Sequence, residues 1–257
     1  MADMFRLDGK VAVVIGGAGG VGQILALGLA QQGASVAVAD LNLGGAGDVA
    51  REIQPKVASK VAAFPVNVTD EKSVAQLAEK VISEFGTVDI LVNSQGVNIK
   101  RPAVEFPLKD WDMMFDVNVK SIMLVCREFG KVMVEKKGGK VINISSVRGI
   151  RATFWGGNEA YCATKGAVDM ITRALAAEWA PSNINVNAIA PSWIATKFAE
   201  ETLKDPERLK RGLANVPLGR VGQPDDIVGA CIFLASPASD FITGQILYLD
   251  GGLTAVG

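Results

Sequence analysis

The stretch VAVVIGGAGGVGQILALGLAQQG, from Val11 to Gly33, decides the fold. Its first five residues are apolar and mostly β-branched, the composition of a buried strand. Val21–Gln32 then repeats apolar residues at helical spacing until Gly33 supplies a stop. Between them lies the turn Gly16-Gly17-Ala18-Gly19-Gly20-Val21-Gly22. Glycines there let a phosphate approach the backbone, and the helix that follows offers free N–H groups and the positive end of its dipole. Position carries more weight than composition: the turn follows a strand, opens a helix and begins a βαβ unit. Extended to Ala39, the stretch has no charge. It does not suit a membrane, because glycines and glutamines interrupt it and two periodicities divide it.

Working outward, strand-length apolar runs alternate with amphipathic stretches of helix length. Strands are expected at Ser35–Ala39, Val61–Val66, Val88–Val92, Val141–Ile144, Ile184–Ile189 and Ile246–Leu249, in addition to Val11–Ile15. Helices are expected before Pro55, over Asp70–Phe85 with Gly86 as its stop, from about Leu108 to Lys137, over Asn158–Ala180, and over Pro224–Ala235 with proline in the first turn. The stretch Thr196–Asn215 is polar and mixed, like a lid. Strand–helix alternation of this kind predicts an α/β fold, a doubly wound seven-stranded parallel sheet with helices on both faces. With no internal repeat and no linker-like composition shift, residues 1–257 read as a single Rossmann-type domain.

Composition removes several classes of function. The net charge is −1, with no basic tail, so nucleic-acid binding has no electrostatic footprint. The 257 residues include no histidine, which excludes Ser-His-Asp and Cys-His catalysis and the common zinc sites, and no metal is expected. Cys126, Cys162 and Cys231 are odd in number, far apart and without a CxxC, which fits a reducing cytoplasm. Met1–Lys10 has no apolar core of a signal peptide.

Two further features point to chemistry. Asp40 ends the second strand, about 20 residues after the glycines, where a carboxylate accepts hydrogen bonds from an adenosine ribose and repels a 2′-phosphate. Leu41 follows it, and the glycine loop has no Arg or Lys, so NAD is the expected cofactor. Tyr161 and Lys165 are four apart on an expected helix and so share a face. An ammonium beside a phenol stabilises the phenolate, which makes Tyr161 the best general acid/base in a chain without histidine.

From end to end the chain resembles the short-chain dehydrogenase/reductase family. The matching segments are the glycine loop at 16–22, Asn67-Val68-Thr69-Asp70, Asn93-Ser94-Gln95-Gly96, Asn118, Asn143-Ile144-Ser145-Ser146, Tyr161-Cys162-Ala163-Thr164-Lys165, Asn187-Ala188-Ile189-Ala190-Pro191, Thr196, and Gly244-Gln245 with Asp250-Gly251-Gly252. The resemblance implies that Tyr161 is the acid/base and that Lys165 lowers its pKa and holds the nicotinamide ribose. It implies that Ser146, with Ser145 as runner-up, hydrogen-bonds the substrate oxygen, and that Asn118 anchors a water in a proton relay to Lys165. Gly16, Gly19, Gly20, Val21, Asp40 and Leu41 would take the diphosphate and adenosine end. Asn67 and Val68 would contact the adenine, and Asn93 and Gly96 would lie along the cofactor. Pro191, Ile194 and Thr196 would hold the carboxamide and diphosphate. It also implies a homotetramer, with the helices at 108–137 and 158–180 and the C-terminal segment at its interfaces. Several positions depart from the family pattern: Ile15 stands for the usual Thr, Asn67 for Asp, Ser94-Gln95 for Asn-Ala, and Ser192 for the Gly after Pro191.

Lys100-Arg101 follows the fourth strand, Arg148, Arg151 and Trp155 lie between Ser146 and Tyr161, and Trp193 and Lys197 begin the lid. Cations near the reaction centre suit an anionic substrate. Residues 93–135 and 184–252 resemble gluconate 5-dehydrogenases and 2-deoxygluconate 3-dehydrogenases. The expected activity is therefore NAD-dependent oxidation of a secondary hydroxyl on a sugar acid, sugar or polyol. A 3-oxoacyl ketoreductase and a non-catalytic dinucleotide sensor on the same fold are the alternatives.

Overall fold

The computed structural model describes residues 3–153, 155–196 and 199–256, without the side chains of residues 201, 202 and 208. Among the described residues, the strands β1 (Val11–Ile15), β2 (Ser35–Asp40), β3 (Val61–Pro65), β4 (Ile90–Asn93), β5 (Gly139–Ile144), β6 (Ile184–Pro191) and β7 (Ile246–Leu249) form one sheet. Its order is β3-β2-β1-β4-β5-β6-β7, and every adjacent pair is parallel.

Alternation along β1 shows how the layers arise. Ala12 and Val14 point to one side of the sheet and Val13 and Ile15 to the other, and all four are fully buried. The first side packs against α1 (Gly20–Gln31), α2 (Leu43–Ile53) and a later helix at Pro224–Ala235. The second packs against α3 (Glu71–Phe85) and the helices that precede and follow β5. Two hydrophobic cores thus lie on opposite faces, as the near-continuous apolar strands require of a doubly covered parallel sheet.

Helix boundaries follow local chemistry. Asp70 caps α3 by accepting from Lys72 N at 2.9 Å, and Gly86 ends it at φ 82°. The expected helix over 108–137 has the right extent but not a uniform pitch. It runs as α4 (Leu108–Phe115), a π turn at Asp116–Lys120 and α5 (Ser121–Glu135). α6 spans Glu159–Trp179. The lid-like stretch contains two short helices that the sequence reading did not include, α7 (Glu200–Leu203) and α8 (Pro206–Leu213). α9 is Pro224–Ala235, with Gln223 and Asp226 in a capping box.

Strand ends needed correction by a residue or two. β4 starts at Ile90 rather than Val88, since the chain is still leaving the turn at Gly86. β6 extends past Ile189 because Ala190 and Pro191 still pair with Tyr248 and Leu249. Pro191 sits at the last position, where its missing N–H matters least.

β1 leads to β2 on one side while β4 lies on the other, so the strand order reverses between β1 and β4. A doubly wound sheet opens a crevice at that place, beyond the carboxyl ends of its strands.

Candidate functional site

A cleft of about 980 Å³ occupies this crevice. The glycine loop forms one wall. Gly16 has φ 72°, and a Cβ there would come within 2.8 Å of Gln95 N on the neighbouring crossover. A Cβ on Gly22 would collide with the Gly16 carbonyl. The backbone is therefore folded too tightly for side chains at these two positions, and α1 begins after its N-cap Gly19 with no side-chain cap over its first N–H groups. Gly19, Gly20 and Val21 line the cleft. This bare, uncapped helix start fits a diphosphate.

Asp40 is fixed next to the loop, its Oδ2 accepting from Ala18 N at 3.0 Å and its Oδ1 from Asn42 N at 2.9 Å. Leu41 is exposed. Asn67 closes its own turn, accepting from Thr69 N at 3.1 Å and Thr69 Oγ1 at 2.8 Å, while Val68 packs against the core. These four residues stand at the ends of β2 and β3, outside the cleft lining.

Asn93 is turned elsewhere. Its side chain is 1% exposed and lies under the cleft floor, with Nδ2 donating to Asn143 Oδ1 at 2.9 Å. Asn143 Nδ2 donates to Thr172 Oγ1 at 2.9 Å, which donates to Val168 O at 2.8 Å. The Asn93 side-chain amide thus serves the core, and Asn93 is not among the residues that line the cleft. Gly96 does line the cleft, close to Asn118 Oδ1 and Lys165 Nζ.

The residues expected to react come together on α6 and the end of β5. Tyr161 and Lys165 share a helix face, with Lys165 Nζ 5.6 Å from the centre of the Tyr161 ring. Lys165 Nζ donates to Ile144 O at 2.8 Å, which fixes its height in the cleft. Burial pushes the Tyr161 phenol up to about 12, while a hydrogen bond from Ser146 and the charge of Arg148 act to lower it. Burial also draws the Lys165 ammonium down to about 8, with Asp169 opposing. Ser146 Oγ accepts from Arg148 N at 3.2 Å and lies 3.4 Å from Pro191 O. Behind them, on the π turn, Asn118 is fully buried. Its Oδ1 accepts from Val97 N at 2.8 Å, and its Nδ2 donates to Val97 O at 2.9 Å and to Thr164 Oγ1 at 3.1 Å.

Pro191, Ile194 and Thr196 line the opposite wall. Ile194 is secured by a bridge to Gly222, and Thr196 packs so near Gly20 that a Cβ there would lie 2.9 Å from the threonine Cβ.

The expected substrate residues separate. Arg148 lines the cleft, half-buried, its Nη1 donating to Ala152 O at 2.5 Å and Arg151 O at 3.3 Å. Trp155 and Trp193 face each other there, with ring centres 6.0 Å apart. Lys100 and Arg101 also line it, and Arg101 pairs with Asp110 at 3.0 Å. Arg151 does not. Its Nη1 donates to the carbonyls of Leu253 and Val256, so it ties down the C-terminal segment, which corrects its expected role at the substrate. Lys197 lies outside the described residues.

The sequence reading passed over three amides. Gln95, Asn98 and Asn158 line the cleft, and Gln95 Oε1, Asn98 Oδ1 and Asn158 Oδ1 are buried with no hydrogen-bond partner among the described residues. Buried acceptors of this kind call for a donor. Gln95 stands out in the sequence only as a departure from the family pattern, and Asn98 and Asn158 only by position, after β4 and at the start of α6.

Comparison with known proteins agrees with this architecture. A family model described as enoyl-(acyl carrier protein) reductase matches residues 16–254. The 2-dehydro-3-deoxy-D-gluconate 5-dehydrogenase of Dickeya dadantii is 39% identical, over 98% of this chain and 98% of that one. The 3-oxoacyl-(acyl-carrier-protein) reductase of Thermotoga maritima is 36% identical, over 96% and 99%. Among solved structures, a gluconate 5-dehydrogenase from Burkholderia cenocepacia in complex with NADP and tartrate superposes with a TM-score of 0.94 at 36% identity, covering 99% of each chain. No helix among the described residues is long and apolar enough to cross a membrane. On the strength of the matched length, the chain belongs to the short-chain dehydrogenase/reductase family of oxidoreductases, which use a nicotinamide dinucleotide.

Proposed function

We propose that the protein oxidises a secondary hydroxyl of a sugar acid with NAD⁺, with Tyr161 as the acid/base. The observation that carries the substrate class is Arg148, a half-buried cation in the same cleft as Tyr161. Among the described residues its Nη2 and Nε have no partner, which leaves a guanidinium edge for a carboxylate. The unpartnered amide oxygens of Asn98 and Asn158 suit the hydroxyls of a polyol chain. The Dickeya and Burkholderia relatives, named for gluconate-type substrates, support the same class.

When bound, the nicotinamide accepts the hydride. The residues of this chain do the rest. Ser146 holds the substrate oxygen beside Tyr161, whose phenolate takes the hydroxyl proton. The Lys165 ammonium favours that phenolate by its charge. Asn118 keeps the loop at Val97 closed behind the site, and Thr196 with Ile194 and Pro191 closes the far wall. Asp40 favours a free ribose 2′-hydroxyl over a phosphate, and the loop beside it offers no cation. NADP in the Burkholderia relative marks this as the point to test. We further infer one domain over the whole chain, with 196–215 as its lid, a homotetramer and a cytoplasmic location. All three cysteines are free, which suits that compartment.

Initial rates of NADH formation with D-gluconate, other aldonic acids, neutral sugars and polyols test this reading, each with NAD⁺ and with NADP⁺. Turnover of acids with NAD⁺, and a KM that rises about tenfold for acids but not for polyols in Arg148→Ala, is the expected result. Turnover of neutral alcohols alone would remove the sugar-acid assignment. Preference for 3-oxoacyl substrates with NADPH would favour the activity for which the Thermotoga relative is named.

A further inference from the structure

α6 carries a third polar side chain at the spacing of Tyr161 and Lys165. Asp169 lies one turn further on and is 2% exposed. A carboxylate in such a place loses hydration and needs compensating contacts. Its contacts show what it secures. Oδ1 accepts from Ser145 Oγ at 2.5 Å, the length of a charge-assisted hydrogen bond. Oδ2 is buried with no hydrogen-bond partner among the described residues. It lies so close to Gly149 that any Cβ there would overlap it, and that Cβ would also come within 3.2 Å of the Lys165 carbonyl. Ser145 Oγ is 3.4 Å from the same carbonyl.

Both ends of the segment from Ser145 to Gly149 therefore rest on one turn of α6, at residues 165–169. Between those ends sit Ser146, whose hydroxyl meets Tyr161, and Arg148, whose guanidinium enters the cleft. The turn that carries Lys165 thus also carries the seat of the segment that faces it.

We propose that Asp169 is a positioning residue: it seats the Ser145–Gly149 segment on α6 and so sets Ser146 and Arg148 relative to Tyr161. It lines no part of the cleft and holds the segment through Ser145 and Gly149, while its charge also bears on Lys165. Gly149 provides the clearance, and Ser145 the hydrogen bond. Losing that bond leaves Ser145 with only its longer approach to the Lys165 carbonyl. A displacement of a fraction of an ångström at Ser146 then weakens its alignment with the reacting oxygen. The proposal rests on the reading of Tyr161 and Ser146 as the reacting pair.

Ser145→Ala, Asp169→Ala, Asp169→Asn and the double variant S145A/D169A test it against Tyr161→Phe as control. The readouts are kcat and KM with D-gluconate and NAD⁺, NADH affinity by fluorescence, thermal stability, and amide hydrogen exchange in peptides covering 145–149. Ser145→Ala and Asp169→Ala are expected to lower kcat by about tenfold with NADH affinity within about twofold of the parent. Asp169→Asn, which keeps an acceptor oxygen, recovers most of the loss. The double variant is no slower than Asp169→Ala, because both changes remove the same contact. Exchange rises in 145–149 and stays unchanged in the glycine loop. Parent-like kcat and exchange in both single variants would overturn the proposal. So would additive losses, or kcat and NADH affinity falling together in step with melting temperature. If Asp169→Ala does not fold, Ser145→Ala and Gly149→Ala supply the same comparison. Should D-gluconate not be turned over, exchange alone decides. Parent-like turnover in Tyr161→Phe would instead sink the reading beneath the proposal. An inactive Tyr161→Phe beside parent-like Ser145→Ala and Asp169→Ala would sink the proposal alone.

Discussion

Burial moves Tyr161 and Lys165 toward the same end. The phenol rises to about 12 and the ammonium falls to about 8, so each loses charge when water is removed. A phenol raised by burial holds its proton more tightly, so oxidation needs positive charge nearby to draw that proton out. Tyr161→Phe should lower kcat by roughly 10²–10⁴-fold while NADH binding stays intact. A variant within threefold of the parent would remove Tyr161 from the mechanism. Lys165 gives a second test. Its folded pKa lies below the ordinary 10.5, so between about pH 8 and 10.5 the unfolded chain holds a proton that the folded chain has released. Stability from this group therefore rises with pH across that window. Denaturant unfolding should show the parent gaining on Lys165→Met from pH 8 to 10, whereas a constant difference would mean the amine is solvated. The shared face of these two residues was legible from a spacing of four. The same spacing reaches Asp169, which places it on that face as well. Asn93 and Arg151 were less accessible. A strand-end side chain follows the alternation of its strand, and Leu91 on the α5–α6 side puts Asn93 there too. Arg151 sits in a loop, where sequence gives no direction for a side chain.

The element that most shapes the site is the π turn at Asp116–Lys120. It inserts a wider turn between α4 and α5 and brings Asn118 under Val97 and Thr164. π turns of this sort occur often at functional sites. Both donors of the Asn118 amide and one acceptor position of its oxygen are used within the protein, so its side chain is first a clamp. Asn118→Ala would strand the Val97 N–H and C=O, a loss of about 1–3 kcal/mol. Melting temperature should fall by roughly 5 °C along with kcat. A fall in kcat at unchanged melting temperature would show instead that the side chain serves the reaction without supporting the loop. Helical periodicity over 108–137 was legible, but no proline or glycine marks 116–120, so the change of pitch was not. α7 and α8 were missed for another reason: polar residues crowd 200–213, and each helix is so short that only Leu203, Leu209 and Leu213 mark an apolar side.

At the scale of the molecule, the sheet was the most legible part, because a strand buried on both faces leaves a continuous apolar run in the sequence. Assembly is less so. Met123 on α5, Met170 on α6 and Leu247 on β7 are exposed in the single chain. They lie on the elements expected at subunit contacts. Light scattering should return four times the chain mass, and a monomer would count against the inferred tetramer. The amide chain under the cleft floor has a consequence of its own. Asn93, Asn143 and Thr172 donate one to the next in a single direction, ending on the backbone of α6, and all are buried. Altering one link leaves its neighbour with an unmet partner, while altering all three to apolar residues of similar shape leaves none. Selection should therefore treat the three positions as one inherited unit. In a library randomised there and screened for function, survivors would carry the trio whole or replace it whole, with few intermediates between.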